Sequence, residues 1–374
     1  MSKINVARLV EVGKPLEVGV ADMPTPGPRD VLVKVAACGL VPNSYNIVKG
    51  YTPFDLPELP AVWGLDVSGT IEALGEQVVG LDVGERVYLD PWHTCETCQH
   101  CRRGRRDLCP NGHFRGYMAP TTGGGRLLHH YPMGGLSEYV VAPDVRVARL
   151  GESIDLLTAA RFGYIGTSFA ALRKGDLGPG KTVLINGVTG TLGVAAVAIA
   201  LGLGATKILG IGRNRELLER VRQMAPRRVE TISSEDGVDL VAWVKQHTGG
   251  IGVDVMYDCL GVGGDAHCTN KLLRAVTPGG SAVLVAGGVA GDVCQNYMDV
   301  LMYDVRAVGS LWFSAAEVDQ MIAMIGAGVI DLSFVEHRRF GLFEVNEAFD
   351  LVGSRPGGFV NIVVLPGQTT VAAG

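Results

Sequence analysis

Residues 181–212, KTVLINGVTGTLGVAAVAIALGLGATKILGIG, decide how this chain folds. An apolar run of strand length, TVLINGV, turns through Gly187, Gly190 and Gly193 into a second apolar run, and KILGIG follows as another strand. No charge occurs between Lys181 and Lys207, a span long enough to raise the question of a membrane helix. The glycines at 187, 190, 193, 202 and 204, with Asn186, Thr189 and Thr191, argue instead for a buried strand, a glycine turn and a buried helix. At such a turn the backbone approaches a pyrophosphate closely, and the free N–H groups and dipole of the helix N-terminus favour the anion. Gly187, Thr189, Gly190, Thr191, Leu192 and Gly193 are therefore the expected cradle of a dinucleotide. A glycine triplet alone is weak; its place between two strands makes it specific.

The second strand ends at Gly212, followed by Arg213, Asn214 and Arg215. An NAD site would put an acidic residue there for the ribose hydroxyls. Its absence removes repulsion toward a 2′-phosphate, and two guanidiniums supply fork-shaped donors, so NADP(H) is the expected cofactor. The plainer alternative is that the arginines only solvate a helix start. Ser168, from the preceding helix, joins the expected cofactor contacts.

Outward from this stretch, residues 154–313 alternate strands with helical periods: RELLERVRQMA, DVMYDCLG and SAVLVAG. Alternation of this kind implies a doubly wound parallel sheet in an α/β fold. Residues 1–153 read as short strands with Gly/Pro turns, such as VLVKVAACG, VSGTIEALG and ERVYLD. Residues 314–374 return to the β-rich pattern, with a helix near 315–327, HRRFGL as a β segment, a helix at EVNEAFDLV, a strand at FVNIVVL and a frayed TTVAAG. The expected architecture is a nucleotide domain at 154–313 inserted into a β-rich domain built from 1–153 and 314–374.

A net charge of −5 gives no general attraction to nucleic acid or anionic membranes, and the N-terminal stretch lacks an apolar signal core. A cytoplasmic chain acting on a small molecule is expected. Four of eight cysteines, Cys95, Cys98, Cys101 and Cys109, form C-x2-C-x2-C-x7-C in a lobe at about 91–115. Four soft donors so spaced can close a tetrahedral site around one structural zinc, leaving no position for water or substrate. An iron–sulfur cluster shares the first spacings, but the long last gap and the lack of a second cluster motif argue against it.

Together these features resemble the zinc alcohol dehydrogenase branch of the medium-chain dehydrogenase/reductase superfamily, over essentially the whole chain. The resemblance implies a GroES-like catalytic domain, a Rossmann domain, and a homodimer or homotetramer, with the SAVLVAG to VGSLWF region available for pairing. In zinc-using members a Cys, the His of a Gly-His-Glu motif and a Cys in the helix before the nucleotide domain hold a catalytic metal. Local matching puts Val41, Leu65 and Tyr164 at those positions. None binds zinc. The active-site loops instead resemble the zinc-free quinone and enone reductases, with Pro42 and Asp66 matching and Val41 departing from the usual Asn.

Without a Lewis acid, hydride transfer is easier to an acceptor that is already polarised. The leading expectation is NADPH-dependent reduction of a conjugated C=C, a quinone or an iminium. The alternative is interconversion of an alcohol with a ketone or aldehyde, and a reading of another class is a non-catalytic NADPH-binding sensor or structural protein. Tyr164 is the first candidate for proton or hydrogen-bond donor, with Asn43, Tyr45, Asp66 and His93 behind it. Tyr51, Phe54, Trp63, Trp92, Trp312 and Phe313 are candidates for an apolar, aromatic substrate pocket.

Overall fold

The computed structural model describes residues 2–51, 54–285, 287 and 289–370. The last four residues of the TTVAAG stretch, expected to fray, lie outside them.

Thr182–Asn186 forms the centre of a six-stranded parallel sheet. Lys207–Gly212 and Val229–Ser233 lie successively on one side of it; Val253–Asp258, Val276–Leu284 and Arg306–Gly309 lie on the other. Val183, Leu184 and Ile185 are all fully buried, because helices cover both faces. The strand order reverses between Thr182–Asn186 and Val253–Asp258, which opens a crevice at their carboxyl ends. The uncharged segment beyond the glycine turn is the helix Thr191–Gly202, with Gly193–Ala200 buried. Among the described residues no helix is long and apolar enough to cross a membrane.

The two ends of the chain share a second sheet. The strand Val360–Leu365 lies between Asp30–Gly39, to which it is antiparallel, and Glu336–Gly341, to which it is parallel. Asp66–Leu74, Arg86–Leu89 and Val147–Arg149 extend this sheet beyond Asp30–Gly39. The helix Ala315–Gly326 starts with the Ser314/Glu317 capping box. The strand Val229–Ser233 and the helix Leu240–His247 were not singled out from the sequence; both are short, and the strand mixes polar with apolar residues.

The helix Phe162–Lys174 joins the two halves. At its N-terminal end a Cβ on Gly39 would stand 1.8 Å from the Ala160 carbonyl oxygen, and one on Gly166 would stand 2.6 Å from the Phe313 ring. At its far end a Cβ on Gly175 would meet Val255 and Val283 of the parallel sheet at 2.8 and 2.9 Å. Bare backbone is therefore required where the helix touches both bodies. The helix Tyr297–Tyr303, beside the edge strand Arg306–Gly309, exposes Tyr297 (77%), Leu301 (62%) and Met302 (65%). It lies in the stretch that the family resemblance offers for subunit pairing.

Candidate active site and metal lobe

Four sulfurs meet in the lobe. The Sγ atoms of Cys95, Cys98, Cys101 and Cys109 all lie within 4.8 Å of one another, and Cys95 and Cys109 are 3.6 Å apart. A tetrahedron with Zn–S bonds of about 2.3 Å has sulfurs roughly 3.8 Å apart, so the donors fit zinc. The Cys101 amide points at Cys98 Sγ and the Cys95 amide at Cys109 Sγ, both at 3.5 Å, as suits thiolates. The lobe is tied down by Glu96, which accepts from Arg106 and Arg146, and Arg146 also faces Asp90 at 3.6 Å.

The nucleotide cradle is equally close. Gly187 has φ +90°, and a Cβ on Gly193 would stand 2.4 Å from the Gly187 carbonyl oxygen. The helix N-cap is Gly190, which brings no side-chain cap to the first amides. Such a turn accommodates a pyrophosphate in the crevice at the switch point. A Cβ on Gly212 would be 2.9 Å from Thr189 Cγ2, which keeps the end of the second strand beside the cradle. Arg213 is exposed there. Three other expected contacts are already engaged. Asn214 caps its helix by accepting from the Leu217 amide, Arg215 pairs with Asp236, and the Ser168 hydroxyl is shared among Tyr164 O, Leu192 O and Tyr257 Oη. Ser168 thereby ties two helices to a strand, and its hydroxyl faces protein on every side.

Between lobe and cradle lies a buried polar group. Asp66, at the start of its strand, is fully buried; its Oδ1 accepts from Tyr88 Oη at 2.9 Å and from the Gly163 amide at 3.1 Å, while Oδ2 has no partner. Burial pushes its carboxyl up to about 7, against the opposing hydrogen bonds from Tyr88 and Gly163. A Cβ on Gly163 would meet Asp66 Oδ1 at 2.3 Å. The residue that faces Asp66 directly is thus Gly163, the neighbour of Tyr164 in the first turn of the helix. Tyr164 turns instead toward Asn43, whose backbone amide faces its hydroxyl; burial first, then Asp66, raises the phenol.

Of the expected catalytic residues, the structure gathers Asp66, Tyr164 and the Asn43 backbone. It does not bring Tyr45 with them: that ring packs where Gly353 leaves room for it, under Lys49. His93 is buried in the lobe's hairpin opposite His113, its imidazole pushed well down by burial. Of the aromatic candidates, Trp63, Trp92, Trp312 and Phe313 are core residues, and the indole N–H groups of the three tryptophans go to Ser44, Arg106 O and Asp90. Sequence reasoning passed over Tyr88, Gly163, Arg115, Tyr117 and Arg161. Arg115 and Tyr117 lie in a tight turn closed by the Phe114–Met118 bridge, with Gly116 at φ +58°, so no strand or helix period in the sequence marks them.

Comparison with known proteins agrees with this geometry. Residues 27–152 match the model of the alcohol dehydrogenase GroES-like domain, and 191–327 match that of the zinc-binding dehydrogenases. The chain is 30% identical to an L-threonine 3-dehydrogenase of Anaeromyxobacter sp. (strain K), covering 91% of this chain and 93% of that one. It is 27% identical to an NAD-dependent alcohol dehydrogenase of Sulfurisphaera tokodaii, over 92% and 94% respectively. Among solved structures, the alcohol dehydrogenase TADH from Thermus sp. ATN1 superposes with TM-score 0.82 at 25% identity, covering 96% of this chain and 99% of that one.

Elemental analysis should find one zinc per chain. Cys109→Ser should lose it together with thermal stability, because a closed site contributes to folding; full stability without zinc would remove the assignment. Asp66 generates a second expectation. Its folded value of about 7 lies above the ordinary 3.8, so its contribution to stability is fully present below pH 4 and lost as pH rises through 7. The melting temperature of the native protein should therefore fall relative to Asp66→Asn between pH 5 and pH 8, whereas a constant difference would show that the carboxyl titrates normally.

Proposed function

The chain belongs to the medium-chain dehydrogenase/reductase superfamily and is an NAD(P)-linked oxidoreductase, and from this premise we propose that it interconverts an alcohol with its ketone or aldehyde using NADP(H). The substrate oxygen is polarised by hydrogen bonds, with Val41, Leu65 and Tyr164 standing at the positions where the family resemblance would put metal donors. The observation that carries the reading is the buried Asp66 carboxyl, one oxygen unbonded, whose charge bears on the Tyr164 hydroxyl. Two of the matched relatives are named as an alcohol dehydrogenase and an L-threonine 3-dehydrogenase, which supports a hydroxyl-bearing substrate.

The Gly187–Gly193 turn would hold the pyrophosphate, and the dinucleotide supplies or accepts the hydride when bound. The chain's own residues handle the oxygen and its proton. Tyr164, steadied by the Asn43 amide, donates to the carbonyl oxygen as negative charge develops on it. Asp66, near 7, holds a transferable proton at neutral pH. NADP(H) is preferred on Gly212 and the exposed Arg213, although the archaeal relative is named as NAD-dependent.

One observation favours a second reading, reduction of a conjugated C=C. Val41 and Leu65 offer no ligand atom and Tyr164 offers only a phenol, and an enone needs less polarisation than a simple carbonyl. Matched substrates separate the two. A saturated ketone should oxidise NADPH, and Tyr164→Phe should lower kcat on the order of 10²-fold with little change in KM; turnover of the enone alone would transfer the assignment to the second reading. Arg213→Ala should raise the KM for NADPH by about tenfold or more, the loss of a charge-assisted contact, and leave NADH nearly unaffected. Equal effects on both cofactors would end the 2′-phosphate role.

A further inference from the structure

Arg115 is 0% exposed, yet only one of its side-chain nitrogens is bonded within the protein. Nη1 donates to the Met133 carbonyl at 2.9 Å, whereas Nε and Nη2 have no partner. Those two atoms form the edge of the guanidinium whose N–H bonds run parallel and match the two oxygens of a carboxylate. The free donors are thus the pair suited to bidentate binding.

The surroundings do not supply an anion for that edge. Of the two carboxylates nearest Arg115, Asp90 already accepts from the Trp92 amide and Trp312 Nε1 and faces Arg146. Asp66 is held on Oδ1 by Tyr88 and Gly163. Arg146, the buried arginine that faces Asp90, is also held by Glu96, and burial pushes the Asp66 carboxyl toward neutrality, so neither carboxylate is turned to the free edge of Arg115. Further buried polar atoms lack a partner among the described residues, namely Tyr117 Oη, Asp66 Oδ2, His93 Nε2 and both ring nitrogens of His113, and the two imidazoles interact electrostatically with Arg115 and the Tyr117 phenol with Asp66. Asp66 is the common neighbour, bearing on Arg115, on Tyr117 and on Tyr164. Buried polar groups in folded proteins are almost always bonded, and a concentration of bare ones beside a reaction centre marks a place meant for a ligand.

We propose that Arg115 binds a carboxylate of the substrate through Nε and Nη2, so that this enzyme acts on organic acids whose reacting carbon lies on the Tyr164 side. The assignment rests on the hydride-transfer reading above and narrows its substrate class.

Equilibrium binding tests this separately from turnover. Titration calorimetry on the zinc-replete, NADPH-loaded protein should use two matched pairs, benzoate with benzamide and acetate with acetamide. In at least one pair the anion should bind tenfold or more tightly than the amide. Arg115→Gln, with zinc content and melting temperature checked, should erase that ratio; Arg115→Lys, a cation without the planar fork, should keep only part of it. Equal affinities within both pairs in the native protein, undetectable binding of all four probes, or a ratio that survives Arg115→Gln would each overturn the proposal. Should the glutamine variant fail to fold, the native ratios and the lysine variant still decide it, a full ratio in the latter counting against the fork. A protein that turns over ketones without favouring acids would keep the hydride-transfer reading and lose this one, while acid binding without turnover would do the reverse.

Discussion

The contact between the Asp66 carboxylate and the Gly163 amide is the constraint on which the rest of the molecule depends. It joins a strand of the β-rich half to the first turn of the helix that leads into the parallel sheet. Any side chain at 163 would occupy the carboxylate's place. From this junction follow the direction of Tyr164 and the burial that moves the Asp66 carboxyl into the neutral range. Arg161, the N-cap of the same helix, donates to the carbonyls of Gly358 and Val360, and a Cβ on Gly358 would lie 2.2 Å from the Gly190 carbonyl oxygen. The returning C-terminal segment is thereby held against the nucleotide cradle.

The parts legible in the sequence were those governed by local periodicity and by residues with no substitute. The 181–212 stretch announced its strand, turn and helix because apolar runs and glycines leave few alternatives, and the four cysteines declared the lobe by spacing alone. Chain reversal also showed, since Val360–Leu365 reads as a strand whatever its partners are. What stayed hidden depended on partners distant in sequence. Tyr45 reads as a pocket residue until Gly353 is seen to make room for its ring. Ser168 and Arg215 read as cofactor contacts until Tyr257 and Asp236 are found beside them.

A site that polarises its substrate without donors for a metal must keep hydrogen-bonding groups in place before the substrate arrives, since fixed dipoles act well only when they need not reorganise. The surroundings supply that rigidity. Asp90 receives an indole N–H from Trp312 at the return into the β-rich half and stands opposite Arg146, which in turn grips Glu96 in the lobe. The cysteine lobe and the segment returning into the β-rich half thus share one chain of polar contacts, from Glu96 through Arg146 and Asp90 to Trp312.

The glycines along the Phe162–Lys174 helix carry a mechanical implication. With Gly163 seated on Asp66 of the β-rich half and the C-cap Gly175 on Val255 and Val283 of the parallel sheet, the helix is a strut whose two feet have little clearance for sliding, because close-packed backbone transmits displacement and does not absorb it. Wholesale rotation of one half over a captured molecule would have to bend this strut.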